Sequence, residues 1–477
     1  MRIIKVSADK IVITATHKSR SDVLGAERKR SEPRVMAPVA RRNNEEGMVN
    51  NNMGELNMKN FIKILTSFLT ALSMITLSLC TALAYDTPDE ITVSTGENKG
   101  TVSYMTDTSM TDENSIISFS SYTVVCSEVT ASEDNSDQLY TKGSLKLFGV
   151  LPIKDVNVRY TDRPIVTLGG QPFGIRLYTG GLVVSKISGV PTAQGIKKPA
   201  AAAGIVCGDT ITHAGNVQLK TNEQLIDICD QSGGNPVLLR CIHDGTPYTA
   251  SVTPVLDSEL GQYRLGMWVR DSCAGIGTVT FTHDVTKTFA GLGHGLYDSQ
   301  SGSLMPLYKG DIVAADILSA DKSAGGSPGS LCGVFTGSDA IGSITSNSEC
   351  GIYGIYNDVS EGDKAEIAFR QEVTKGKARI LSTIEGCTPR YYDIEIEEIS
   401  YNSSDPSKNM VIRVTDKTLL EKTGGIVRGM SGSPVIQNGR LVGAVTHVFV
   451  NDPSKGYAVF AETMAEHNSD IVQKMAG

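Results

Sequence analysis

Aromatic side chains are scarce in this sequence of 477 residues. Phe, Trp and Tyr make up 6% of the chain and tryptophan occurs once, whereas glycine occurs 48 times. Many glycines and few aromatics are typical of a turn-rich, largely β protein. A chain of this length corresponds to about three domains.

Positive charge is also in short supply, because the net charge is −8. This argues against nucleic acid or an anionic membrane surface as a partner. The nine cysteines contain no C-x-x-C pair, which argues against a zinc ribbon or a thioredoxin-like motif. We expect free thiols rather than disulfides. No phosphate-cradling loop or metal cluster stands out, and the sequence predicts no cofactor and no metal.

The N-terminal part divides into an extension, an apolar segment and a linker. Residues 1–57 carry basic clusters without periodicity. We expect a disordered or spurious extension, with translation starting near Met58, although a nucleic-acid-binding arm is an alternative. Lys59 and Lys63 precede an apolar run ending in a small-residue site at 82–84. Residues 58–85 are therefore predicted to be a signal peptide or a membrane anchor, with the remainder exported.

The segment from 86 to 145 is rich in Ser, Thr, Asp and Glu. This composition predicts a solvated acidic linker, with one strand at 122–125.

A peptide-binding module is predicted over residues 163–256. The string Gly-Gly-Gln-Pro-Phe-Gly-Ile-Arg-Leu at 169–177 is followed by an apolar run at 182–187. Thr221 and Gln224 have the spacing of a capping box and predict a short helix. Closing strands are expected at 237–242 and 248–252.

This order of elements resembles a PDZ domain. The resemblance places Phe173, Gly174 and Ile175 in the carboxylate-binding loop. PDZ domains add a peptide as an extra strand beside that loop. A small β-sandwich without a ligand is the alternative.

A candidate nucleophile lies near the C-terminus. Asn438 and Gly439 separate two apolar runs and predict a tight hairpin. Gly-Met-Ser-Gly-Ser-Pro at 429–434 precedes it. A serine between glycines at a strand entry exposes its hydroxyl beside backbone N–H groups, as acyl transfer requires. The string resembles the nucleophile region of chymotrypsin-like proteases, which implies an oxyanion hole formed by the N–H groups of Gly429 and Ser431.

A serine nucleophile needs a base and a group that orients it. His283 and His294 are the histidines of this region upstream of Ser431. His294 lies between two glycines that leave room for a substrate, and it is our preferred base. We expect Asp416, at the end of a predicted strand, to accept the second ring N–H of His294. Asp298 and Asp311 compete for this role on composition.

Strand patterns dominate the last two hundred or so residues, at 277–282, 393–397, 410–414 and 441–450. A helical pattern first appears at 461–475. Residues 263–477 are therefore predicted to form a β-barrel core with a C-terminal helix.

Five strings resemble the stage IV sporulation protein B peptidase family. They lie at 266–278, 291–294, 414–420, 423–434 and 444–453, and the similarity extends from about Gly143 to the C-terminus. The resemblance implies a membrane-inserted serine protease with a PDZ domain, acting between the two membranes around the forespore. His294, Asp416 and Ser431 match the catalytic residues of the family. Asp416 lies closer to the serine than in chymotrypsin-like proteases.

The family resemblance also implies a substrate. By similarity, we expect the protease to cut a membrane-bound regulator, so that an intramembrane metalloprotease processes a late sigma factor; self-cleavage is a second expected reaction.

The sequence thus predicts a mainly β chain: a signal or anchor helix, a PDZ domain and a chymotrypsin-like double β-barrel. The predicted function is that of an exported serine endopeptidase. The alternatives are a catalytically inactive PDZ-type binding or scaffold protein and a non-proteolytic acyl hydrolase.

Overall fold

A computed structural model describes residues 45–94, 101–104, 122–126, 139–147, 151–357 and 362–476. The chain forms one unit up to Met74 and a second from Ile75 to Gly477. The helices are α1 Glu45–Asp86, α2 Pro199–Ala202, α3 Asn222–Gln231, α4 Lys417–Thr423 and α5 Ala461–Ala476, with a 3-10 turn at Arg370–Glu372.

The apolar segment predicted near the N-terminus is helical. Within α1, residues 58–85 have a mean hydropathy of 1.8 and are long enough to cross a membrane. A signal sequence has the same properties. Residues 1–44 of the expected extension lie outside the described residues, and residues 45–57 belong to α1.

A five-stranded sheet includes residues 90–94, 101–104, 122–126 and 139–145 of the region expected to be a linker. Its strands are β1 Glu90–Ser94, β2 Thr101–Tyr104, β3 Tyr122–Cys126, β4 Leu139–Leu147 and β5 Leu151–Thr161, in the order β1-β5-β4-β3-β2. Ile91, Val93 and Leu145 are buried in its core. The linker prediction is therefore wrong here, because β-branched residues within the polar composition favour strands. The strand predicted at 122–125 is confirmed as β3.

Twenty-two further strands follow. The first ten are β6 Ile165–Leu168, β7 Pro172–Ile187, β8 Val190–Thr192, β9 Gly195–Lys197, β10 Thr210–Ala214, β11 Val217–Gln218, β12 Val237–His243, β13 Thr246–Val252, β14 Val255–Leu256 and β15 Tyr263–Arg264. The others are β16 Met267–His283, β17 Thr288–Gly291, β18 Lys309–Asp321, β19 Ser330–Ser348, β20 Gly351–Tyr356, β21 Lys364–Glu366, β22 Gly376–Ser382, β23 Arg390–Ile399, β24 Met410–Val414, β25 Pro434–Gln437, β26 Arg440–Val448 and β27 Lys455–Phe460.

Six of these strands close into a first barrel. The sheet runs β7-β18-β19-β20-β17-β16, and an additional pairing of β16 with β7 closes the ring. Phe173, Val279, Phe289 and Ile312 are buried in its core. Closure leaves no free sheet edges around the ring.

The predicted peptide-binding module is an insertion into this barrel. Strands β10, β12 and β13 continue the sheet from the second half of β7, and α3 follows β11. The side chain of Gln224 accepts the N–H of Thr221 at 3.3 Å, as the capping box predicts. The peptide-binding module was expected to end, and the protease domain to begin, between residues 256 and 263. Strand β7 lies before this boundary but belongs both to the module and to the first barrel, so the two share a strand.

The second barrel is also closed, in the order β22-β23-β24-β27-β26-β25. Its predicted hairpin is confirmed, since Asn438 (φ 52°) and Gly439 (φ 79°) connect β25 to β26. Both left-handed positions match a type I′ turn. The predicted C-terminal helix is α5.

Charged side chains join the five-stranded sheet to α5. Arg159 of β5 is buried and contacts Glu462 at 3.3 Å and also Glu466, while Arg370 Nε bonds Glu462 at 2.7 Å. These pairs neutralise carboxylates that burial would otherwise disfavour.

Eight cysteines have described side chains, and all eight are unpaired. Cys229, Cys241 and Cys350 are buried, and burial raises the pKa of each thiol. Buried thiols of this kind are poor nucleophiles.

Candidate active site

The candidate nucleophile lies in a tight loop between α4 and β25. Gly429 (φ 98°) and Gly432 (φ 95°) both adopt left-handed backbone conformations. A Cβ on Gly432 would lie 2.1 Å from the carbonyl oxygen of Thr278. Glycine is therefore required at 432, where the loop presses against strand β16 of the first barrel.

Two backbone N–H groups of this loop are free. Within the described part of the chain, neither the N–H of Gly429 nor that of Ser431 donates a hydrogen bond. The neighbouring N–H groups do donate hydrogen bonds. That of Gly432 donates to the carbonyl oxygen of Val445 at 2.7 Å, and that of Met430 donates to the carbonyl oxygen of Val427 at 3.2 Å. Free N–H groups beside a serine can serve as an oxyanion hole.

His294 comes from the other barrel, on a turn after β17. Leu292 (φ 66°) and Gly293 (φ 69°) are left-handed and turn the chain sharply before the histidine. A Cβ on Gly293 would lie 3.0 Å from Cγ2 of Thr446. The turn therefore packs directly against β26 of the second barrel.

The tautomer of His294 follows from its hydrogen bond. Its Nδ1 lies 2.8 Å from the carbonyl oxygen of Gly295. A carbonyl only accepts, so Nδ1 carries the proton and Nε2 has the free lone pair that a general base needs. Among the described residues, the carbonyl of Gly295 is the one hydrogen-bond partner of the His294 ring.

Thr446 and His447 bring the two halves of the site together. The hydroxyl of Ser431 donates to the carbonyl oxygen of Thr446 at 2.8 Å. The ring of His447 packs on that of His294, with centroids 4.7 Å apart. Rotation of the Ser431 side chain from Thr446 toward His294 is thus required before proton transfer. No role for His447 was predicted from the sequence, although it lies within the strand predicted at 441–450 and observed as β26.

Asp416 is in a different environment from the one expected. It is the N-cap of α4, and its carboxylate accepts the N–H of Leu419 at 2.9 Å. Its own N–H donates to Asp393 at 2.9 Å. The structure gives it no contact with His294 among the described residues.

Asp298 and Asp311, the alternatives to Asp416 as the residue that orients the base, also contact other side chains. Asp298 is buried, accepts the hydroxyl of Ser185 at 3.0 Å and pairs with Arg270 at 2.9 Å. It organises the loop that follows His294. Asp311 lies 3.5 Å from Lys309 on β18.

The expected peptide site at Phe173, Gly174 and Ile175 has no free strand edge. This part of β7 pairs with β16 on one side and β18 on the other. All three residues are buried. A peptide cannot add as a strand here, because barrel closure has used both rows of backbone groups.

A groove lies instead between α3 and the start of β16. Its volume is about 540 Å³, and its lining includes Leu225, Ile226, Tyr263, Gly266 and Trp268. Trp268 is 62% exposed. The sequence reasoning missed this groove because the string at 266–278 was assigned to the catalytic region alone.

The comparisons with known proteins point to one family. The family model described as SpoIVB peptidase S55 matches residues 261–465. This stretch is therefore similar to the SpoIVB peptidase S55 family. The chain is a serine endopeptidase, and both Ser431 and His294 lie within the matched residues.

Solved structures give a weaker likeness to this peptidase. The active form of the protease Rv3671c from M. tuberculosis is 14% identical over 42% of this chain and 74% of its own, with a TM-score of 0.22. An inactive mutant form of the same protease is also 14% identical, over 42% of this chain and 82% of its own, with a TM-score of 0.23. Scores this low do not establish a shared fold. No curated protein sequence matches the chain.

The pH dependence of the peptidase should reflect the burial of His294. Burial lowers the pKa of this imidazole from its usual value of about 6.5. Its neutral, basic form therefore persists to lower pH than that of a free histidine. We expect the acidic limb of kcat/KM for a peptide substrate to have its midpoint below about pH 6.5.

Circular dichroism at each pH is the control that separates titration from unfolding. A midpoint above that of free histidine, in protein that remains folded, would contradict the assignment of a buried His294 as the base.

Proposed function

We propose that Ser431 and His294 are the catalytic pair of this endopeptidase and that the N–H groups of Gly429 and Ser431 form its oxyanion hole. The observation that carries the proposal is the left-handed loop in which Gly429 and the half-buried Ser431 both keep a free N–H among the described residues. His294 belongs to the other barrel and packs on His447, next to the Thr446 carbonyl that accepts the Ser431 hydroxyl, with Nδ1 already protonated.

The chemistry then follows the acyl-transfer scheme. Oγ of Ser431 attacks the peptide carbonyl as Nε2 of His294 takes the hydroxyl proton, and the two N–H groups bind the developing oxyanion. The imidazolium gives the proton to the leaving amine. Water, deprotonated by His294, then hydrolyses the acyl-enzyme and restores the serine.

The carbonyl of Gly295 takes the orienting place that a carboxylate holds in the usual triad. It fixes the tautomer of His294 but carries no full charge to stabilise the imidazolium. Asp416, which the sequence proposed for this role, caps α4 and so steadies the chain that leads into the nucleophile loop.

Variants at these positions test the assignment. Ser431→Ala and His294→Ala should each lower kcat/KM for one peptide by roughly three orders of magnitude or more, and the double variant should be little worse. Only protein that retains Ser431 should label with a fluorophosphonate. His283→Ala is the matched control, because His283 is the other histidine of the region upstream of Ser431, and its activity should be retained.

Asp416→Asn separates the two roles of the aspartate. Asparagine caps helices as well as aspartate does, so we expect most activity to remain. A loss of up to about four orders of magnitude would instead show that the carboxylate orients His294. Cleavage by Ser431→Ala would refute the mechanism, and a wild-type protein that neither cleaves nor labels would support a binding protein.

We also propose that the peptidase acts outside the cytoplasm, held or delivered by residues 58–85. The support is the apolar helix behind Lys59 and Lys63. By the family match, we further propose a sporulation signalling role at the forespore membrane, in which the enzyme cuts a membrane-bound regulatory protein and so triggers late sigma-factor processing. Fragments released from candidate membrane proteins by the purified enzyme test this role.

A second proposed activity is the binding of an extended peptide in the groove beside α3, in the manner of a PDZ domain. Residues 267–270 of β16 pair with β7 along one edge. Along the other edge, the described residues contribute no strand until Val279. A free strand edge beside an amphipathic helix is the arrangement to which a peptide adds as a strand.

A charge in the groove should weaken recognition without affecting the chemistry. Ile226 lines the groove and is 45% exposed. Ile226→Glu should lower cleavage of a protein substrate by roughly tenfold or more, because an apolar contact is replaced by a desolvated charge. Hydrolysis of a short peptide should not change.

Val217→Glu is the matched control, since Val217 is 48% exposed and lies outside the groove. Equal cleavage of the protein substrate by both variants would show that the groove is not a recognition site.

A further inference from the structure

We propose that Thr278 is a positioning residue for the oxyanion hole, an inference that rests on the proposed function of Ser431. Thr278 lies on β16 and is 1% exposed. Its hydroxyl donates to the carbonyl oxygen of Gly429 at 2.9 Å, and its N–H donates to that of Ser431 at 3.0 Å.

These two bonds hold the loop on both sides of Met430. The peptide between Gly429 and Met430 is fixed at its carbonyl by the Thr278 hydroxyl and at its N–H by Val427, at 3.2 Å. The peptides on either side of it carry the two free N–H groups. Fixing the central peptide therefore fixes the directions in which both N–H groups point.

The hydroxyl is the critical group because Gly429 is free to rotate. Its φ of 98° lies in a region that glycine adopts without steric penalty. Glycine adopts negative φ as readily, so no steric barrier holds the backbone of Gly429 in place. Without the hydroxyl, the partly buried carbonyl of Gly429 would lose its partner and turn to find another. Rotation of this peptide would misdirect the N–H groups that must meet the oxyanion.

Thr278 also reaches the loop of the catalytic base. Its carbonyl oxygen accepts the N–H of Leu292 at 3.3 Å, two residues before His294. All three polar groups of one buried residue thus hold the two loops that carry the nucleophile and the base.

Replacing the hydroxyl by a methyl group tests the proposal. Thr278→Val keeps the shape of the side chain and should lower kcat about 10- to 100-fold, less than the roughly 10²–10³-fold effect of deleting an oxyanion donor. KM should stay nearly constant, because the donors act on the transition state. Affinity for a peptide aldehyde, which forms an oxyanion-like adduct, should fall in parallel with kcat. Thr278→Ser, which keeps the hydroxyl, should restore most of the rate.

Thr179→Val is the matched control, because the buried Thr179 hydroxyl on β7 also donates to backbone carbonyls, those of Gly181 at 2.7 Å and Asp271 at 3.0 Å. Its kcat should be unchanged. If Thr278→Val fails to fold, Thr278→Ala and Thr278→Ser give the same comparison, since both remove the methyl group and only serine keeps the hydroxyl.

Equal kcat in the wild type and Thr278→Val, or equal losses in the serine and alanine variants, would overturn the role of the hydroxyl. Both results are distinct from failure of the proposed function, in which the wild type would not cleave or Ser431→Ala would.

Discussion

The hydrogen bonds of Thr278 and Thr280 tie the nucleophile loop of one barrel to a strand of the other. Thr278 binds the carbonyls of Gly429 and Ser431, and the hydroxyl of Thr280 donates to that of Gly432 at 2.8 Å. Ser431 and His294 belong to different barrels, so neither barrel alone contains the proposed catalytic pair. The contact along β16 is therefore the constraint that brings nucleophile and base together.

The same strand connects the active site to the groove. β16 runs without interruption from Met267, at the edge of the groove, to His283, beyond the threonines that hold the nucleophile loop. Arg270 on this strand also pairs with Asp298, which organises the loop after His294. A peptide added beside the start of β16 would thus extend the sheet that supports both catalytic loops. The proposed recognition groove and the proposed catalytic pair therefore share one strand rather than lying in two linked domains.

Local patterns in the sequence predicted local structure well. The Asn438-Gly439 hairpin, the capping box of α3, strand β24 and the C-terminal helix all formed where their residues indicated. The hairpin and the capping box depend on contacts within a few residues, and the strand and helix are indicated by the alternation or periodicity of neighbouring side chains, so each signal is visible in a short window. The serine between glycines is of the same kind, because left-handed conformations at Gly429 and Gly432 are a local property.

Features that depend on distant pairing could not be read in this way. Phe173 to Ile175 look like an open binding loop in sequence, but β16 and β18, far along the chain, cover both edges. Asp416 lies at the end of a predicted strand, where it was expected to orient the base, yet a helix begins directly after it and its carboxylate caps that helix. The five-stranded sheet was hidden by polar composition, since its core consists of a few residues contributed by separate strands.

The most direct test of a site shared by two barrels is the structure of the enzyme with a peptidyl boronate. We expect the boron to be bonded to Oγ of Ser431, one boronate oxygen to accept the N–H groups of Gly429 and Ser431, and Nε2 of His294 to lie within hydrogen-bond distance of the adduct. An adduct on another residue, or a boronate oxygen directed away from both N–H groups, would contradict the account.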